Sequence, residues 1–165
     1  MTPFEELYNT YFKRVYAYAL LRVRNPALAE DLCAAAWRKA YRHLETFDRH
    51  KGTFTQWIFT ITRNEINMYW RLYWVKHLFS LTEAEAYLPS GEKSPAQQLE
   101  EQLLKREVLS AVEKLSGRER DLISLKFYSG LNNRQIAGLT GLSESNVGTL
   151  LSRTARKLRK FLEKI

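Results

Sequence analysis

Asn132-Asn133-Arg134-Gln135-Ile136-Ala137-Gly138-Leu139, followed by Thr140-Gly141-Leu142 and then Ser143-Glu144-Ser145-Asn146-Val147, is the stretch whose reading decides the fold. Ile136, Ala137 and Leu139 put apolar groups on one side of a short helix, while Val147, Leu150, Leu151, Leu158 and Leu162 stripe a longer one at helical intervals. Asn132, with Gln135 three residues on, and Ser143 alone offer side-chain oxygens to first-turn N–H groups that lack helical partners. Ala137 is small where two crossing helices must approach, and Gly141 can take the left-handed conformation of a short turn. The pattern predicts a helix-turn-helix.

The helix opening after Ser143 should turn Glu144, Ser145, Asn146, Thr149 and Ser152 outward at its front, with Arg153, Arg156, Lys157, Arg159 and Lys160 behind them. Polar tips at the front of a helix can read base edges, and cations behind can hold phosphates. The plainer alternative is a capped amphipathic pair in an ordinary bundle, its basic end merely solvated.

Charge placement extends the argument. Of the net +8, residues 1–75 carry 11 Lys+Arg against 7 Asp+Glu, and residues 95–165 carry 13 against 8. The stretch between is slightly acidic, so two basic lobes joined by a connector suit a polyanion held at two places. A chain of 165 residues with 45% apolar content suits one domain or two small ones. The lone Cys33 excludes an internal disulfide and, lying among Leu32, Ala34 and Ala35, reads as packing. With no secretory signal or bilayer-length apolar run, a cytoplasmic protein is expected.

From the N-terminus, Thr2-Pro3-Phe4-Glu5 caps a helix to about Arg24, with Phe4, Leu7, Tyr8, Tyr11, Phe12, Val15, Ala19, Leu20 and Val23 on one wide apolar face. Asn25-Pro26 starts a second helix to about Leu44. Leu28, Leu32, Ala36, Ala40 and Leu44 should face inward, leaving Asp31, Arg38, Lys39 and Arg42 outward. After a polar loop, Thr53 with Gln56 caps a third helix to about Val75, with Phe54, Trp57, Ile58, Ile61, Met68 and Leu72 inward. Arg63, Asn64, Asn67, Trp70, Arg71 and Trp74 fall elsewhere on it. Cations and amides among rings suit single-stranded nucleic acid, although aromatics at helical spacing equally pack a core.

Pro89-Ser90-Gly91-Glu92-Lys93-Ser94-Pro95 has linker composition, which divides the chain into 1–76, a linker 77–94, and 95–165. The second part should hold four helices: one opening at Ser94 with Leu99, Leu103, Val108, Ala111 and Leu115, one capped by Ser116 with Leu122, Ile123, Leu125 and Phe127 inward, and the closing pair. The expected fold is all-α, with two small tethered helical bodies.

Catalytic constellations are missing from the sequence. His43, His50 and His77 have neither HExxH nor CxxC spacing, and no phosphate loop or GxSxG elbow occurs. A binding protein is expected, without metal or cofactor.

The residues resemble the extracytoplasmic-function (ECF) sigma factors, initiation subunits of bacterial RNA polymerase. Ala29-Glu30-Asp31-Leu32 is similar to the start of region 2.2, and Trp57-Ile58-Phe59-Thr60-Ile61-Thr62-Arg63-Asn64 to the run of regions 2.3 and 2.4. Gly130-Leu131, Ile136-Ala137, Gly141-Leu142-Ser143-Glu144, Val147 and Ser152-Arg153 resemble region 4. The chain departs from the family pattern at Ala34, Ala35, Met68, Gln135, Gly148 and Leu150.

The resemblance implies a σ2-like three-helix domain that binds the β′ clamp helices of core RNA polymerase, through the face with Asp31, Arg38, Lys39 and Arg42. It would melt the −10 element, holding a flipped base in the loop of Phe47, Asp48, Arg49, His50, Lys51 and Thr53 and lining the strand with Arg63, Asn64, Asn67 and Arg71. It implies a σ4-like four-helix domain that binds the β flap and reads the −35 element of promoter DNA through Ser143, Glu144, Ser145, Asn146, Thr149, Ser152, Arg153, Arg156 and Lys157. It also implies an anti-sigma factor, often membrane-bound. The residue pattern by itself leaves open a free-standing dimeric helix-turn-helix repressor or activator.

Overall fold

Local capping determines where the helices begin. In a computed structural model that describes residues 2–78 and 106–164, every helix start predicted within those residues is capped as expected. The Thr2 hydroxyl accepts from Glu5 N at 3.3 Å, and Asn25 Oδ1 accepts from Leu28 N at 3.0 Å. The Thr53 hydroxyl accepts from Gln56 N at 3.2 Å, the Ser116 hydroxyl from Glu119 N at 3.2 Å, Asn132 Oδ1 from Gln135 N at 2.8 Å, and the Ser143 hydroxyl from Asn146 N at 3.1 Å. The helices are α1 Pro3–Val23, α2 Pro26–Arg42, α3 Phe54–Leu78, α4 Arg106–Glu113, α5 Gly117–Ser129, α6 Asn133–Thr140 and α7 Glu144–Glu163, with a 3-10 turn at Leu44–Thr46. Gly130 and Gly141 end α5 and α6 at φ 69° and 74°, a conformation that glycine adopts without the side-chain penalty. No strand occurs among the described residues. The linker Pro89–Pro95 and the helix expected to open at Ser94, with Leu99 and Leu103, lie outside them.

α1 packs on α2, α3 and α5; α2 packs on α3; α7 gathers α4, α5 and α6; and α3 touches α5 and α6. The two expected helical bodies pack on each other: Val15 and Ile58 of the first belong to one continuous core with Leu122, Ile136 and Val147 of the second. The reason lies in α1. Val15 to Leu21 is buried on every side, so Tyr16, Ala17, Tyr18 and Leu21 are interior as well as the predicted Val15, Ala19 and Leu20. A helix buried all round is wedged between neighbours on opposite sides.

Inward assignments on α3, α5 and α7 are corrected as well. On α3 the buried line is Phe54, Ile58, Phe59, Thr62, Glu65 and Ile66, while Met68 is 43% and Leu72 62% exposed. Those two fall off the line, and the last turns of α3 outrun the helices that cover its start. On α5, Phe127 is 79% exposed, and Asp121, Ser124 and Ser129 are buried. On α7, Leu162 is 41% exposed because it lies in the final turn, and Thr154 fills the inner line between Leu151 and Leu158.

Cys33 is buried, and that burial pushes its thiol up to about 12, so it packs and does not react. Gly148 lies inside α7, where a Cβ would meet only the Asn133 amide at 3.5 Å, ordinary contact. Gly148→Ala should therefore raise stability by about 0.5–1 kcal/mol, because alanine loses less backbone freedom in a helix. Urea denaturation of the two proteins checks the sign.

Candidate nucleic-acid interface

α7 carries one exposed face. Ser143, Glu144, Ser145, Asn146, Thr149, Ser152, Arg153 and Arg156 are all exposed, while Val147, Leu151 and Thr154 turn inward. Ser145, Thr149, Ser152 and Arg156 recur at steps of three and four, so they line one side of a helix about 30 Å long. The Ser143 cap sets the entry of this helix, and the Gly141 turn sets its crossing with α6.

Lys157, expected to join that face, is held elsewhere. Its ammonium donates to Glu119 Oε1 at 3.2 Å and Oε2 at 3.1 Å. Glu119 also accepts from Ser116 N at 2.8 Å, and that backbone bond followed by the Lys157 charge holds its carboxyl below the ordinary 4.5. Because its folded-state value is depressed, the stability it adds is complete above 4.5 and is lost as pH falls through the folded value. The stability gap between wild type and Glu119→Gln, read by urea midpoints, should be constant at neutral pH and close as pH drops below 4.5.

In the first half, the loop predicted to hold a base is anchored by Phe47, whose ring centroid lies 5.7 Å from Phe54 and 5.2 Å from Trp57. Phe47 thus pins the loop to α3. Asp48 shapes the turn by accepting from His50 N at 2.9 Å, which leaves Arg49, His50 and Lys51 exposed. Beside the loop lies an open cavity of about 590 Å³. Phe47, Asp48, Lys51 and Trp57 wall one side of it, and Arg134, Gln135 and Gly138 of α6 wall the other.

The four α3 residues expected along a strand divide into two pairs. Asn64 and Arg71 are exposed. Arg63 instead donates from Nε to Asp121 Oδ2 at 2.8 Å and from Nη1 to Leu139 O at 3.2 Å, and Asn67 Oδ1 accepts from Arg22 at 2.9 Å. Arg63 is thus bound to the second half of the chain, while Asn67 is held by α1 of the first. Asp121 was missed because a lone carboxylate in a helix gives no signal of burial.

On α2, Asp31, Arg38 and Arg42 are exposed, and Lys39 pairs with Glu65 at 3.0 Å. Between Arg38 and Arg42 opens a shallow groove of about 510 Å³ lined by Phe4, Tyr8, Trp37 and Tyr41. Tyr8, expected in the core, is 37% exposed, and Tyr41, at 66%, was not singled out. The aromatic residue beside Arg42 was the one available clue. Among the described residues there is no cluster of metal-binding side chains, and no helix is long and apolar enough to cross a membrane.

A three-helix body joined to a helix-turn-helix, with a polar-then-basic face left open on the second helix, defines a helical protein built to read DNA. The family model for sigma-70 region 2 matches residues 7–74, and that for sigma-70 region 4 matches residues 105–158. The chain belongs to the sigma-70 family and, within it, to the ECF RNA polymerase sigma factors. It is 30% identical over 160 residues to the ECF sigma factor BldN of Streptomyces coelicolor, covering 96% of this chain and 60% of BldN. It is 27% identical over 159 residues to the ECF sigma factor SigM of Bacillus subtilis, covering 94% and 92%. The fold is similar to that of the sigma factor RpoE of Bartonella quintana, solved with the anti-sigma factor NepR, at TM-score 0.78 and 23% identity over 99% of this chain and 98% of that one. It is also similar to CnrH, solved with the cytosolic domain of CnrY, at TM-score 0.66 and 19% identity over 98% and 88%.

Proposed function

We propose that this ECF sigma factor acts in the cytoplasm, without catalysing a reaction itself, by carrying core RNA polymerase to promoters read at two sites. The observation that carries the reading is the open face of α7, where amide and hydroxyl tips from Ser145 to Ser152 stand in front of Arg153 and Arg156. Such a helix fits a major groove with its polar front against base edges and its basic rear against phosphates. This face is assigned to the −35 element. The loop around Arg49 to Lys51, with Asn64 and Arg71, is assigned to the −10 strand.

The face with Asp31, Arg38 and Arg42 is the proposed contact with the β′ clamp helices, and the second half is the proposed contact with the β flap. Tyr8 and Tyr41 extend the first of these surfaces with partly exposed rings, a composition that favours protein contact. An anti-sigma factor is the expected regulator, because the two solved relatives described above were captured with NepR and CnrY.

Purified chain mixed with bacterial core polymerase should co-elute with it and support run-off transcription from a restricted set of promoters. A chain that neither co-elutes with core polymerase nor changes its promoter choice would end this reading.

A further inference from the structure

The open cavity of about 590 Å³ beside the Phe47 loop lies between two helices whose spacing is fixed. Ile58 of α3 and Ile136 of α6 belong to the one shared core, and Arg63 Nη1 donates to Leu139 O at 3.2 Å. Leu139 itself lines the cavity, as does Thr60, one turn before Arg63 on α3. The hollow is therefore preformed. Small-molecule sites favour such seams between packed bodies, and this volume falls within their ordinary range.

Its walls carry donors that the fold leaves unused. Gln56 of α3 and Gln135 of α6 both line the cavity, and each closes a capping box. Thr53 N donates to Gln56 Oε1 at 2.9 Å, and Asn132 N donates to Gln135 Oε1 at 2.9 Å. Both side-chain carbonyls are thus spent on backbone, and both Nε2 groups remain as donors with no acceptor among the described residues.

Lys51 stands on one wall and Arg134 on the other, both exposed, and neither pairs with an acid among the described residues. The carboxylate on the lining, Asp48, has Oδ1 taken by His50 N at 2.9 Å. Two cations on opposite walls repel, and an anion between them replaces that repulsion with charge-assisted hydrogen bonds. Phe47 and Trp57, with ring centroids 5.2 Å apart, add an apolar surface on which a flat ring can stack. Phosphate alone would meet the cations and leave the rings bare, whereas a base alone would do the reverse.

We propose that this cavity binds a nucleoside polyphosphate, with its phosphates between Lys51 and Arg134, its base along Phe47 and Trp57, and its remaining acceptors met by the amides of Gln56 and Gln135. The site goes beyond the promoter reading and does not need it, since it requires only the packed chain and a free nucleotide. Gln135 sets the charge of the α6 wall. A glutamate at that position closes the same capping box but places a carboxylate next to Arg134 on the lining.

The test is calorimetric titration of the full chain with ATP and, separately, with GTP, in magnesium-free buffer. At least one of them should bind with one-to-one stoichiometry. Its nucleoside alone and tripolyphosphate alone, each keeping one part of the chemistry, should bind about tenfold more weakly or worse. Gln135→Glu should weaken the nucleotide by a similar factor while the melting midpoint stays in place, because the cap is kept. Arg134→Ala, at an exposed side chain, should do the same and carries the test if Gln135→Glu fails to fold. A Cβ on Gly138 meets nothing within 4 Å, so Gly138→Leu should exclude the nucleotide by filling space without altering a charge. Arg118→Ala, exposed and outside the lining, should leave affinity unchanged. Absence of binding by both nucleotides, tripolyphosphate binding as tightly as either, or affinity unchanged in Arg134→Ala and Gln135→Glu would each overturn the proposal. Run-off transcription is read separately, so its failure would remove the promoter reading and leave this site standing or falling on the titration.

Discussion

Phe59→Ala is expected to destabilise the protein by about 3–5 kcal/mol, the range for emptying a fully buried phenylalanine site. Phe59 is 0% exposed, and its ring lies 5.5 Å from that of Tyr18, which is itself fully buried. The neighbouring positions Ile58 and Thr62 are equally buried and belong to the same helix, so little can collapse into the space. For a chain of this length, each kcal/mol lowers the midpoint by roughly 2–4 °C, and the loss should be visible as roughly 6–20 °C in a thermal scan. The hole opens beneath Tyr18, whose hydroxyl meets Asp121, so a loss confined to the first half's signals would contradict the shared core. An exposed neighbour gives the contrast: Leu72→Ala, at 62% exposed, should move the midpoint little.

The second large effect concerns DNA. Arg153→Ala in the polymerase-bound protein should weaken promoter binding across sequences and reduce the dependence on salt by about one counterion's worth in a log–log plot. Asn146→Ala should act differently. If its amide pairs with one base edge, it costs about 1–3 kcal/mol at that base pair and leaves the salt slope alone. The contrast arises because phosphates are the same at every position and base edges are not. Filter binding at three salt concentrations, on a promoter and on variants changed one base pair at a time, separates the two. If Arg153→Ala leaves both slope and affinity untouched, α7 docks by some other face.

These expectations draw on features of different origin. The beginnings of α1, α2, α3, α5, α6 and α7 were legible because each depends on a side chain three residues from the amide it caps, and the caps form wherever the chain goes. The exposed face of α7 was legible for a related reason: an apolar stripe at helical spacing leaves the polar residues outside it. Membership of the sigma-70 family was legible in motifs of contiguous residues.

The sequence by itself therefore determined the starts of α1, α2, α3, α5, α6 and α7, the helix-turn-helix and the side of α7 that meets solvent, since all of these follow from interactions within a few residues. Only the tertiary structure decided that α1 is buried on two sides, that Asp121 lies in the interior, and that Arg63 is paired 58 residues away rather than left open. A polar line such as Arg14, Tyr18 and Arg22 looks like a solvent face in any local pattern. It becomes an interior one when an anion and helix-end carbonyls, more than ninety residues distant in the chain, arrive to meet it.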